Sequence, residues 1–283
     1  MTDIRFDVLG IGNAIVDVLA HADDAFLEKN GLPKGAMTLI DEDRAKGLYE
    51  IMGSGIEVSG GSAANTIAGL SSLGGRGAFI GKVRDDQLGA VFRHDIQAVG
   101  VSFETLLSQD TASTARCLIF VTPDAQRTMQ TYLGACVELG PDDIDPETVA
   151  AASITYLEGY LWDPEAAKEA FIKASTLAHA AGRQVSLSLS DPFCVDRHRA
   201  EFIDLVNNHV DILFANEDEI VSLYEADSFD DALQHVRGHC DIAALTRAEK
   251  GSVVVAGDEV HVIDADSVNA VVDTTGAGDA YAA

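Results

Sequence analysis

The chain has 283 residues, of which 19 are Lys or Arg and 46 are Asp or Glu, giving a formal net charge of −27. That length suits one large α/β domain or two modest ones, and 47% hydrophobic residues can fill a substantial core. A surface this acidic repels nucleic-acid backbones and anionic headgroups, which argues against nucleic-acid and membrane partners.

In chain order, the N-terminus lacks a basic leader, and Asp3, Asp7 and Asp17 interrupt its apolar residues, so it does not read as a signal peptide. The run FDVLGI at 6–11, bounded by Gly10 and Gly12, reads as a buried strand. From Ala63 a helix is expected, capped by Ser62, with Ala64, Ile67, Ala68 and Leu73 on its apolar stripe and its stop at Gly74 and Gly75. ARCLIFV and RTMQTYL, joined by TPDAQ, predict a hairpin.

Strands and helices then alternate: strand 153–157, helix 164–181, strand 184–189, helix 196–207, strand 211–215 and helix 217–224. That rhythm predicts a mostly parallel sheet covered by helices on both faces. His235 and His239 stand four apart on an expected helix, as half a metal site or as ordinary surface residues. VVVAGDEVHVI predicts a second hairpin turning at Gly257 and Asp258, and a last strand at 271–273 leads into a glycine-rich helix start. Cys117, Cys136, Cys194 and Cys240 are far apart with no CxxC pair, which fits reduced thiols and a cytoplasmic location.

In open α/β sheets, ligands bind beyond the carboxyl ends of strands, so glycine-rich strand-to-helix junctions carry most information. Two stand out: SGGSAAN at 59–65 and DTTGAGDA at 273–280. In the second, Gly276 and Gly278 permit close backbone approach, and the helix that follows turns free N–H groups toward the same point. Asp279 beside this anion site suits removal of a proton from a hydroxyl attacking phosphorus. The local alternative is a first-turn acid favoured by the helix dipole. GxxxxGK[ST], GxGxxG and GxSxG are absent, which sets aside P-loop ATPases, dinucleotide oxidoreductases and α/β-hydrolases.

On these motifs the sequence resembles the ribokinase-type (PfkB) carbohydrate kinases, and within them the adenosine kinases. DTTGAGD matches the family's C-terminal signature, GGSAANT its N-terminal glycine motif, and GNAIVD at 12–17 the adenosine-kinase opening, so the motif order spans 1–283. The resemblance implies one ribokinase-like, Rossmann-like α/β domain with a mostly parallel sheet flanked by helices. A small β-sheet lid is expected from segments near 14–41 and 111–134, and the family's further C-terminal helices are expected beyond 283. The implied reaction is Mg2+-dependent phosphate transfer from ATP to the 5′-hydroxyl of adenosine. Open beside it stand a kinase for another nucleoside or a free sugar (inosine, ribose, fructose, 2-keto-3-deoxygluconate) and, for a chain ending at 283, a non-catalytic nucleoside-binding protein.

Carried over residue by residue, the resemblance makes Asp279 the base and gives Gly276, Ala277 and Gly278 the amides that receive the phosphoryl group. Asn13, Asp17, Gly60, Gly61, Ser62 and Asn65 would hold the nucleoside, with Asp17 and Asn65 on the ribose hydroxyls. Ile15, Met37 and Leu39 would line the purine pocket, with Tyr160 or Trp162 stacked on the base. Arg127, Asn216, Thr246, Gly251 and Thr275 would meet ATP, and Asn216 and Glu219 would hold Mg2+ through water. Ala248 departs from the family pattern, standing where TxGxxG has its first glycine. The family leaves open a K+ requirement and either a monomer or a lid-mediated homodimer.

Overall fold

In a computed structural model the described residues are 3–109, 112–267 and 276–283. Thirteen strands follow one another as β1 (Phe6–Ile11), β2 (Ile15–His21), β3 (Met37–Leu39), β4 (Ile56–Gly60), β5 (Gly77–Ile80), β6 (Ala115–Val121) and β7 (Arg127–Tyr132), then β8 (Ala152–Glu158), β9 (Gln184–Ser188), β10 (Ile212–Asn216), β11 (Ile242–Thr246), β12 (Ser252–Ala256) and β13 (Glu259–Ile263) among the described residues. The expected strand at 271–273 lies outside them.

The larger sheet has the order β13-β12-β11-β10-β9-β8-β1-β5. It is parallel from β5 to β11, and only the closing hairpin of β12 and β13 runs antiparallel. Parallel strands covered on both faces read as near-continuous apolar runs, as β10 (ILFAN) and β11 (IAALT) do. Helix Glu165–Ala180 packs here through Ala167, Ala170, Phe171, Ala174 and Ala178, a stripe at helical spacing that brings its backbone close to the strands. From β1 the chain crosses to β5 on one side and later reaches β8 on the other, so the strand order reverses at β1. A crevice at such a reversal is where open α/β sheets place ligands.

The smaller sheet has the order β3-β7-β6-β2-β4. Val16, Val18, Leu118 and Phe120 alternate onto its buried face, in one cluster with Phe79, Phe92 and Phe103. Its other face carries Asp17, Cys117, Thr131 and Leu39 in one row, because register pairs them across β2, β6, β7 and β3. Four of its strands fall within the expected lid segments, and β4 adds a fifth from outside them.

Several boundaries differ for identifiable reasons. Helix Pro192–Asn208 begins before residue 196 because Asp191 accepts from the Cys194 amide at 2.6 Å and Pro192 occupies the first turn; a break at His198 follows. Ser62 is not a cap: Gly61 holds that position and Ser62 starts helix Ser62–Ser72. Leu73 leaves the expected stripe and is 78% exposed. His239 lies beyond helix Phe229–Val236, so the two histidines do not share a helical face, and His235 stacks on Tyr224.

Candidate active site

The site forms where β1, β8 and helix Ser62–Ser72 converge. Residues 12–14 carry the chain from β1 directly into β2, and Asn13 at this crossing is buried. Glu158, at the end of β8, is 1% exposed and accepts from the Asn13 side chain (2.7 Å), the Asn13 amide (3.3 Å) and the Ala63 amide (2.7 Å). One carboxylate therefore binds the base of the small sheet to the start of the helix. Burial pushes its pKa up to about 7, against the opposing pull of those donors. The Cys136 thiol extends the chain of contacts by donating to Asn13 Oδ1 at 3.0 Å. Gly61 takes φ +100°, and a Cβ there would lie 2.1 Å from the Asn13 carbonyl oxygen, so only glycine fits this junction.

Asp279 arrives from the other end of the chain on helix Ala277–Ala282, with Gly276 before it at φ +72°. Ser62 Oγ donates to its Oδ1 at 2.6 Å and Asn65 Nδ2 to its Oδ2 at 3.3 Å. Burial raises its pKa, while these two donors hold it down. Asp17, on β2, is raised to about 6, first by burial; Arg127 opposes the shift and the Asp279 charge adds to it. Gly60 gives Asp17 its space, since a Cβ there would stand 2.6 Å from Asp17 Oδ2. Asn13, Asp17, Gly60, Gly61, Ser62, Asn65, Gly276, Ala277, Gly278 and Asp279 thus gather around one crevice. Thr275, together with Asp273 and Thr274 of the same motif, lies outside the described residues.

A second group stands at the ends of β10 and β11. Asn216 caps helix Glu217–Tyr224: its Oδ1 accepts from the Glu219 amide at 2.9 Å, and Glu219 returns a contact to the Asn216 amide at 2.9 Å. Burial raises Glu219 to about 7, and the charges that reach it, Asp191 and Asp218, are both negative. Glu219 Oε1 also accepts from Asn216 Nδ2 at 2.6 Å, so the two side chains close on each other. With no group of three His, Cys, Asp or Glu ligands among the described residues, the pair suits only a cation held through its water shell. Thr246 pairs with Asn216 across the ladder, which places the two candidate nucleotide contacts side by side. Ala248 adopts φ +49°, so the backbone keeps the left-handed form expected of the missing glycine.

Beyond Asp17 on the small sheet opens a cleft of about 390 Å³, lined by Leu39, Ile40, Thr131, Leu133, Val137 and Glu138 among others. Leu39 is where the purine pocket was expected. Met37, 49% exposed, and half-buried Ile15 are on the same face of the sheet but outside the cleft lining. Trp162 is a correction: it is buried between Phe171 and Phe202 and donates to Glu201 at 2.6 Å, so it is core and cannot stack on a ligand. Tyr160 remains 40% exposed. The sequence reading missed Glu158, Cys136 and the 134–138 segment. A Glu directly before a glycine at a strand's carboxyl end was the available signal for the first.

The site can be set beside known proteins. The description "pfkB family carbohydrate kinase" matches residues 46–283. A crystal structure of adenosine kinase from Sinorhizobium meliloti is 56% identical, with a TM-score of 0.89 over 98% of this chain and 85% of that one. A structure described as a probable sugar kinase protein from Rhizobium etli CFN 42 is 52% identical, with a TM-score of 0.89 over 100% and 85%. The "Probable fructokinase-4" of Arabidopsis thaliana is 28% identical across 80% of this chain and 71% of its own length. Matched by the family over residues 46–283 and by these solved structures, this chain belongs to the pfkB family of carbohydrate kinases.

Proposed function

We propose that this protein transfers the γ-phosphoryl group of ATP to the 5′-hydroxyl of adenosine. The observation that favours the nucleoside over a free sugar is the 390 Å³ cleft on the Asp17 face of the small sheet, whose mainly aliphatic lining, with one carboxylate at Glu138, suits a flat base better than a ring of hydroxyls. Asp17 and Asn65 accept and donate to the ribose hydroxyls. Asp279 takes the proton from the 5′-oxygen as that oxygen bonds to phosphorus and the bond to the bridging oxygen of ADP breaks. The amides of Gly276, Ala277 and Gly278 meet the charge on the transferring group, and Arg127 approaches it from β7.

Asn216 and Glu219 hold Mg2+ through water, and Thr246 and Gly251 flank the nucleotide. When bound, the metal neutralises charge on the phosphate oxygens. All four cysteines are free, which fits work in a reducing compartment such as the cytoplasm; no described helix is long and apolar enough to cross a membrane. The exposed apolar face of the small sheet, with Met37, Leu39, Ile56 and Val58, is compatible with a monomer that closes over its substrate or a lid-paired homodimer.

Turnover compared across adenosine, inosine, ribose, fructose and 2-keto-3-deoxygluconate tests the assignment. Adenosine is expected to lead in kcat/KM, and preference for any free sugar overturns it. Calorimetry with adenosine in parallel separates catalysis from binding alone, since heat without turnover marks a binding protein.

A further inference from the structure

The cleft on the small sheet holds one carboxylate among aliphatic side chains. Glu138 lies in its wall, at the end of the 3-10 segment Gly134–Glu138, with Leu39, Ile40, Leu133 and Val137 around the same space. The other polar side chains of the lining already have partners. Thr131 donates its hydroxyl to Cys117 Sγ at 3.3 Å, and the Tyr132 hydroxyl is engaged with Ser113 while its ring receives the Arg116 guanidinium.

Glu138 is also held in place. The buried Ser108 hydroxyl donates to its Oε2. The segment itself is tied to the core at two points, Ala135 N to the Ser113 carbonyl at 2.9 Å and the Cys136 thiol to Asn13 at 3.0 Å. A carboxylate only accepts hydrogen bonds, and this one retains accepting capacity beyond the bond from Ser108. An apolar pocket with one fixed acceptor selects a ligand that offers a donor at that point and is otherwise flat and apolar.

We infer that Glu138, positioned by Ser108, is the base-selecting residue: it accepts a hydrogen bond from an N–H on the edge of the nucleobase, so the site favours purines bearing an amine or ring N–H there. The assignment rests on the nucleoside-kinase reading above. It makes Glu138 a determinant of specificity, acting on ground-state and transition-state binding alike, and leaves the chemistry at Asp279 unchanged.

Adenosine and purine riboside, which has the same ring system without the 6-amine, provide the test. The full chain, Glu138→Ala, Glu138→Gln and Ser108→Ala are assayed for kcat and KM with both nucleosides, and folding is checked by thermal melting. The unaltered protein is expected to favour adenosine by roughly 10- to 100-fold in kcat/KM, mostly through KM, as befits one hydrogen bond to a charged group. Glu138→Ala is expected to bring that ratio close to one, with Glu138→Gln, which keeps an acceptor oxygen, in between. If Glu138→Ala does not fold, a reduced ratio in Ser108→Ala or Glu138→Gln serves the same purpose. A ratio near one in the unaltered protein, or one that all folded variants leave unchanged, overturns the assignment while nucleoside turnover stands. Turnover of ribose or fructose with neither nucleoside accepted overturns the nucleoside reading and this assignment with it.

Discussion

Ser62 Oγ lies 2.6 Å from Asp279 Oδ1, a contact that joins the start of one helix to a residue 217 positions further along the chain. The carboxylate is thereby oriented from behind, with Asn65 on its second oxygen at 3.3 Å. A carboxylate held by two donors keeps its orientation and stays more acidic than burial alone would make it.

Replacing Asp279 by Asn preserves an acceptor for Ser62 and removes the proposed base. Turnover is expected to fall by roughly 10²- to 10⁴-fold with adenosine affinity nearly unchanged. Steady-state kinetics and calorimetry on the same preparation check both halves. Near-normal kcat would mean that the proton leaves by another route. Ser62→Ala removes one of the donors that favour the charged form, so the acid limb of kcat/KM is expected to move to higher pH.

In its proposed role Asp17 accepts from two ribose hydroxyls and must be ionised to do so, and its pKa is raised to about 6. The KM for nucleoside is therefore expected to climb as pH falls through 6 and to level off above it. Arg127 opposes the shift at Asp17, so Arg127→Ala is expected to move that limb upward. A limb that stays in place in Arg127→Ala would show that the two charges are not coupled in solution.

Glu158 links pH to stability. Its pKa of about 7 in the folded state exceeds the ordinary value of 4.5, so the folded protein binds that proton more tightly than the unfolded chain does. Stability from this group is complete below about pH 4.5 and is lost as pH rises through 7. Asp17 and Glu219 are raised too and act with the same sign. Melting temperatures of the unaltered protein are expected to decline between pH 5 and 8, and Glu158→Gln to decline less; parallel curves would remove Glu158 as a contributor.

Ala248 holds φ +49°, where a Cβ is crowded by the carbonyl oxygen that follows. Ala248→Gly relieves this and gives back part of the gain through a freer unfolded chain, for a net stabilisation of up to about 1 kcal/mol. Denaturant unfolding would register it as a higher midpoint at constant slope. A lower midpoint would locate the strain elsewhere.

The sequence showed the alternating strands and helices because short apolar-rich strands, such as ILFAN in β10, are separated by segments with helical periodicity. It marked Asp279 and Asn65 as candidates because glycine-rich junctions leave a short, specific pattern, whereas Asp17 became a candidate only through the family resemblance. Helix Glu217–Tyr224 matched to the residue, since Asn216 and Glu219 cap it reciprocally and that signal is local. Glu158 was not legible: its donors, Asn13 and Ala63, come from 145 and 95 residues away, and no local pattern reports contacts of that range. Trp162 misled for a related reason, because an aromatic in a loop-like stretch reads as exposed until Phe171 and Phe202 are brought over it. The cleft at Glu138 depends on β3 pairing with β7, which periodicity cannot supply.

The two strands that enter the core at the crevice, β2 after Ala14 and β4 before Gly61, are paired there through Ile15 and Gly60. Taken as a pivot point, that pairing sets two unequal arms along the small sheet. Asp17 rides close to it, whereas Arg127 sits opposite Val121 and His21, four residues further along β2, about 13 Å at 3.3 Å per residue. A rotation of the small sheet about that point would move Asp17 least and Arg127 most. On the proposed assignment, such a motion would leave the nucleoside contact at Asp17 little changed and would alter chiefly the reach of Arg127.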